Sequence, residues 1–290
     1  MLFPYFGGKR SAANIVWSVL GDPECYIEPF AGSLAVLLAR PEDFKGGTEI
    51  VVDLDGLLVN FWRCIATDWH TMDPYLVGPV AEVDITAKHL ALLEARPWLT
   101  DKMTTDTAFF DPKLAAWWWQ GISSWLGSGW GHRPARQRPH IDRSLKGIWA
   151  TGMTDDKISW VASRIANAII LSGNWDTAWT RSATAAIIRR YEKGRGVGVF
   201  LDPPYTGDRQ KGLYAEDAPL RDQILQWCHE QETRPWCRVA LAGYDDEYPE
   251  LSPEVWQRMF WKAPNGYAGS GNERRRREIL YVKSEGRIES

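Results

Sequence analysis

The chain has 290 residues, a net charge of −3, 44% hydrophobic residues and 24% charged residues. These proportions exclude a disordered or fibrous chain, and they exclude a protein that holds nucleic acid by overall charge alone. The length suits one large domain, or one domain carrying an inserted lobe.

In chain order, Ala12 to Leu20 reads as a short helix after a glycine turn, and Cys25 to Ile27 as a short strand running into EPFAG. A helix over 33–39 is expected next, then a buried strand over 49–53 and a helix over LLVNFWRCIA. Between about 68 and 160 the pattern changes. DITAKHLALLEA and FDPKLAAWWWQGI place apolar residues three and four apart and predict helices. WLGSGWGHRPARQRPHIDRS holds no period, and a loop that long in a compact domain is usually functional. Strands over 168–172 and 197–202, a helix over PLRDQILQWCHE and a strand over 238–243 follow. VWQRMFW with REILYVK suits a closing antiparallel pair. Alternation of this kind predicts an α/β fold with a mainly parallel sheet covered on both faces.

Cys25, Cys64, Cys228 and Cys237 lie far apart and never as C-x-x-C, which fits a reduced cytosol. The five histidines show no paired metal spacing, so no metal site is expected. The N-terminus has no apolar signal region, and no apolar run approaches about 18 residues. A soluble cytoplasmic protein with no membrane partner is the expectation.

DPPY at 202–205 is the sharpest chemical signal. It follows an apolar strand, so Asp202 stands where open α/β sheets place their ligands. Pro203 and Pro204 stiffen the turn and leave carbonyls free to accept. A ring-attached amino group is a poor nucleophile, and a carboxylate and a carbonyl accepting its two hydrogens favour attack. Tyr205 is placed to stack on the ring. EPFAG also follows a strand; Gly32 permits close backbone approach to a ligand, and Asp53, about twenty residues on, is placed for ribose hydroxyls. Asp53 and Asp55 are equally placed to cap the next helix. FPYFGGKR at 3–10 fails as a phosphate loop, because Phe3 and Arg10 occupy positions that need Gly and Ser or Thr; Lys9 remains suited to holding a carboxylate.

The set FPYFGGK, EPFAG, VVDLD and FLDPPY, in that order, resembles the Dam-type DNA adenine-N6 methyltransferases in their alpha-group arrangement. ILSGNWDTAW is similar to that family's third cofactor element, and GSGNERRRREILYV to its last loop and strand. The resemblance implies a Rossmann-like S-adenosylmethionine-dependent methyltransferase sheet formed by 1–62 and 165–290, with 63–164 as an inserted, mainly helical target-recognition lobe. It implies cofactor contacts from Tyr5, Lys9, Phe30, Ala31, Gly32, Asp53, Asn174, Trp175 and Asp202. Asp202, Pro203, Pro204 and Tyr205 are implied as the catalytic segment, which moves a methyl group in line to adenine N6 of a flipped base. The family's second loop glycine is absent here, where Ser33 and Leu34 follow Gly32.

DNA is the expected partner, duplex most of all. Arg133, Arg136, Arg138 and Arg143 in one basic segment, and Arg274 and Arg275 in another, suit phosphate contacts. Trp130, between glycines, suits stacking or intercalation. In WWWQGISSW not all three leading tryptophans can face one core. Cytosine-N4 methyltransferases share the chemistry but more often begin the motif with Ser, and RNA or protein-glutamine enzymes with Asn. A non-catalytic DNA-binding relative is the reading from another class. Any restriction endonuclease partner is a separate chain, no endonuclease motif being present, and monomer and dimer are both open.

Overall fold

The computed structural model describes residues 2–5, 9–76, 81–106, 108–124, 130–131, 153–192, 194–204, 217–261 and 278–283. Seven strands among them form one sheet in the order β3-β2-β1-β4-β5-β7-β6. The chain runs α1 (Ala13–Leu20), β1 (Cys25–Glu28), β2 (Thr48–Asp53), α2 (Gly56–Asp68), α3 (Glu82–Thr105), α4 (Pro112–Ile122) and α5 (Asp155–Ile165). It continues with β3 (Ile169–Ser172), α6 (Thr177–Thr180), α7 (Ser182–Arg190), β4 (Val197–Leu201), α8 (Asp217–Gln231), β5 (Cys237–Tyr244), β6 (Gln257–Phe260) and β7 (Glu278–Lys283).

β1 pairs in parallel with β2 and β4, and β4 with β5. β4 is buried at every residue and β2 at its four central ones, the near-continuous apolar pattern of strands covered on both faces. β7 then pairs antiparallel with β5 and β6, the closing pair expected from sequence. The α/β fold, consistent with a Rossmann-like methyltransferase sheet, is therefore as the alternation predicts. The described residues between 63 and 164 are mainly helical, in the end of α2 and in α3 to α5, with a 3₁₀ turn over Trp69–Tyr75.

One expected element is absent. Instead of a helix over 33–39 there is an irregular loop and a single 3₁₀ turn over Leu37–Ala39. Leu34 sits at φ 55°, the left-handed region, which interrupts a right-handed helix. The apolar spacing that mimicked a helix reflects burial, since residues 31–37 are all buried.

The chain forms two compact units, each built from several stretches. The first comprises Met1–Gly8, Ala31–Leu34 and Val52–Thr177, the second Lys9–Phe30, Ala35–Val51 and Ala178–Ser290. The first has an aromatic core. Phe3 meets Trp118 edge-on at 5.0 Å and Phe61 at 5.4 Å, and Trp119 donates its indole N–H to Leu2 O at 2.9 Å. Trp118 and Trp119 are buried while Trp117 stays half-buried with Lys113 Nζ 4.6 Å from its ring centroid, as helical geometry requires of three consecutive residues.

Trp130 belongs to this core, which corrects its assignment to nucleic acid. It is 2% exposed and donates its indole N–H to Trp118 O. Its ring fills the space beside Gly121, where a Cβ would stand 1.7 Å from it. His89 Nδ1 accepts the N–H of Gly131 and Arg96 donates to Gly131 O, fixing the segment in place. In the second unit, Arg40 joins β1's approach to β2 through Asp22 and Glu49, at 3.0 and 2.9 Å. No helix among the described residues is long and apolar enough to cross a membrane.

Candidate active site

In the first unit the loop after β1 is tied to the end of β2. Ala31 donates its N–H to Val52 O, and Gly32 donates to Asp53 Oδ2 at 2.9 Å. The other carboxylate oxygen of Asp53 accepts the N–H of Asp55 at 2.8 Å. Asp55 caps α2 by accepting from Leu57 and is paired with Arg96 at 2.9 Å. The capping role thus falls to Asp55, and Asp53 is the buckle of the loop. Asp53 O also accepts the N–H of Gly173, which draws the chain after β3 back to the end of β2.

Gly32 lies at φ 47°, and a Cβ there would stand 2.8 Å from Tyr5 Cε1. Only glycine suits both the angle and the space. Trp62 donates its indole N–H to Gly32 O at 2.9 Å, so the loop is held on both sides of its glycine. Trp175 is buried and Asn174 is exposed, with Asn174 O accepting from Thr177. The first unit therefore gathers Tyr5, Ala31, Gly32 and Asp53 at one loop.

Leu34 takes the strained angle without being glycine, and its side chain is wholly buried. The left-handed angle costs an L-residue about 1–2 kcal/mol. Deleting a buried leucine costs about 2–5 kcal/mol, and glycine adds chain entropy to that loss. Burial wins, so Leu34→Gly is expected to destabilise the fold by about 2–4 kcal/mol, read as a lowered urea midpoint. A variant as stable as the parent would show that the backbone angle dominates.

In the second unit, Asp202 follows β4 directly and forms an ion pair with Lys9 at 2.9 Å. The Lys9 side chain is 7% exposed and that of Asp202 21%, so the pair is well sheltered but open at its acidic end. Pro203 is buried and Pro204 half-buried, which fixes the turn leaving the strand. Phe30 is half-buried two residues past β1. Tyr205 lies outside the described residues, as do Arg133, Arg136, Arg138, Arg143, Arg274 and Arg275.

Glu28, the last residue of β1, is a group the sequence reading quoted without a role. It is 2% exposed, and its Oε2 accepts both the Tyr26 O–H at 2.9 Å and the Leu37 N–H at 3.2 Å. One side chain thus joins the two ends of the loop 29–36. Burial pushes its carboxyl up from 4.5 to about 8; the Tyr26 and Leu37 hydrogen bonds oppose the rise, and the charges of Asp202 and Glu49 add to it. Between those two values the folded state binds more protons than the unfolded one. Stability is therefore lost as pH rises through that window and levels off above it. Glu28→Gln is expected to flatten the decline and to be the more stable form above pH 8, by about 2–4 kcal/mol. Parallel urea midpoints of the two proteins from pH 5 to 9 check this, and curves of equal slope would refute it.

Residues 5–104 match the sequence model of a family described as D12 class N6 adenine-specific DNA methyltransferase, consistent with the Dam-type resemblance. The matched stretch contains the glycine–lysine segment, the loop at Gly32 and Asp53. No curated protein matches the chain.

Proposed function

We propose that this chain is an S-adenosylmethionine-dependent DNA adenine-N6 methyltransferase, as the family of residues 5–104 supports. The observation that carries the reading is the Asp202-Pro203-Pro204 segment at the end of β4, paired with Lys9. It lies outside the matched stretch and so adds to it independently. A chain that had lost its chemistry would have no need of a sheltered carboxylate at this strand end, which counts against the non-catalytic alternative.

The residues present fit the methyl donor. The absent side chain of Gly32 lets the Tyr5 ring pack against the loop backbone, and Asp53 offers a carboxylate at the end of β2, where ribose hydroxyls are bound in related sheets. Tyr5, Phe30, Ala31, Gly32, Asp53, Asn174 and Trp175 would hold it, with Trp175 and Asn174 at its adenine. Bound S-adenosylmethionine supplies an activated methyl group on a sulfonium. Asp202 and the Pro203 carbonyl accept the two hydrogens of the target amino group and aim its lone pair. Lys9 fixes the orientation of the Asp202 carboxylate. Tyr205 stacks on the base, which must leave the duplex because its amino group is otherwise inside the stack. Positioning and hydrogen bonds that strengthen as the nitrogen gains charge supply the acceleration. The segment 63–164 reads the target, and Arg133, Arg136, Arg138, Arg143, Arg274 and Arg275 contact phosphates.

The test is methyl transfer from labelled S-adenosylmethionine to duplex DNA, single-stranded DNA and RNA, with products digested to nucleosides and identified by mass spectrometry. N6-methyldeoxyadenosine is the expected product. N4-methyldeoxycytidine would overturn the target base, and no methylated nucleoside would overturn the reaction.

A further inference from the structure

Arg96, on α3, takes no part in the reaction above, yet within the first unit it joins two stretches that do. Its guanidinium reaches two partners at once. Nη2 pairs with Asp55 Oδ1 at 2.9 Å, and Nε donates to Gly131 O at 3.0 Å. On one side lies the loop acid: Asp53 Oδ1 accepts the N–H of Asp55, and Asp53 Oδ2 accepts that of Gly32. On the other side the basic segment begins, since Gly131 stands two residues before Arg133. His89 Nδ1 accepts the Gly131 N–H at 3.1 Å, and a Cβ on Gly131 would stand 2.9 Å from Leu57 Cδ1, in the first turn of α2. Gly131 is therefore seated on the helix that Asp55 caps.

We propose that Arg96 is a positioning residue that couples the two binding steps: a donor seated at Asp53 strengthens the hold on duplex DNA, and DNA strengthens the hold on the donor. The inference rests on the reading above, which gives Asp53 the ribose and the arginines after Gly131 the phosphates. A planar guanidinium holds both partners in one fixed geometry, so order at one end is passed to the other. The Arg96 side chain is 26% exposed and that of Asp55 12%. An ion pair with that access to water contributes little by itself, so the clasp opens in a fraction of molecules and a ligand can close it. The donor favours the closed arrangement because the loop acid then keeps both of its backbone bonds. DNA favours it because the basic segment then departs from a fixed residue. Two ligands that favour one state assist each other by the same factor. The contacts that carry this are continuous, from Gly32 through Asp53, Asp55 and Arg96 to Gly131.

The experiment is fluorescence anisotropy of a labelled duplex made only of G·C pairs, titrated with the full chain at low salt, with and without saturating S-adenosylhomocysteine. Such a duplex offers phosphates and no adenine, so no target base adjoins the cofactor and direct contact between the two ligands is removed. The thioether carries the donor's ribose and is not consumed. The wild type is expected to bind the duplex about fivefold more tightly with the thioether present, and calorimetric titration of the thioether with and without duplex should return the same factor. Arg96→Gln should bring both factors down to about one. Arg96→Lys keeps a charge for Asp55 without the fork, so it should bind the thioether nearly as the wild type does and still show no coupling. A role confined to fold stability would lower both affinities and leave the factor unchanged.

Equal duplex affinity with and without the thioether in the wild type, or a factor that survives either substitution, overturns the coupling while leaving the enzyme reading intact. A wild-type chain that binds neither ligand overturns the reading and the coupling with it. The Lys variant decides the matter if the Gln variant does not fold.

Discussion

Asp202→Ala is expected to lower the rate of methyl transfer by at least about 10²–10³-fold, the usual cost of losing one electrostatic partner of the reacting group. The structure adds a second effect. Asp202 is an ion-pair partner of Lys9, whose side chain is almost fully buried, so the substitution removes a charge that compensates a sheltered cation. Breaking a buried pair from one side costs about 3–5 kcal/mol, and the exposure at the acidic end reduces this to about 2–3 kcal/mol. Lost activity alone would then be ambiguous. The combined variant Lys9→Met with Asp202→Ala removes both charges and should recover most of the stability while staying inactive. Urea midpoints and methyl transfer measured on the same three proteins separate the two effects. Activity near the wild-type level in either variant would remove Asp202 from the chemistry.

Asp53→Ala is expected to weaken binding of S-adenosylmethionine by about 10- to 100-fold, because two contributions add. The carboxylate is the acceptor proposed for the ribose, and a charge-assisted hydrogen bond of that kind contributes about 1.5–3 kcal/mol. It also accepts the N–H groups of Gly32 and Asp55, so its removal loosens the loop the donor rests on. The same loss should cost about 1–2 kcal/mol of fold stability. Asp53→Asn tells the two apart, since the amide oxygen can retain one backbone bond without the charge. Calorimetric titration of both variants checks the binding. Unchanged affinity in Asp53→Ala would place the ribose elsewhere.

The strands were legible because each buried parallel strand is written as a short apolar run between turn residues, as in EIVVD and VGVFL. The loop after β1 was not. Its alternation of small and apolar residues matches a helical face, and only the left-handed angle at Leu34, a tertiary outcome, shows that the chain turns instead. Trp130 misled for a related reason. Flanking glycines read as exposure, whereas Gly121, on α4, makes room for the ring. The motif residues Gly32, Asp53 and Asp202 were readable as types at strand ends. Their partners were not: Lys9 meets Asp202 across most of the sequence, and nothing in EPFAG says that its acid is sealed from water.

The hydrogen bond from Gly173 to Asp53 O has a consequence for how such a molecule diversifies. It brings together the two ends of the long interior run of the first unit, where the chain departs after β2 and where it comes back after β3. A stretch whose ends already meet can be lengthened or shortened in the connections between its helices without moving β2, which ends at Asp53, or β3, which ends just before Gly173. The short runs Met1–Gly8 and Ala31–Leu34 of the first unit are interleaved with the second and offer no such seam. Changes of length are therefore expected to be tolerated best in the connections between those two anchor residues.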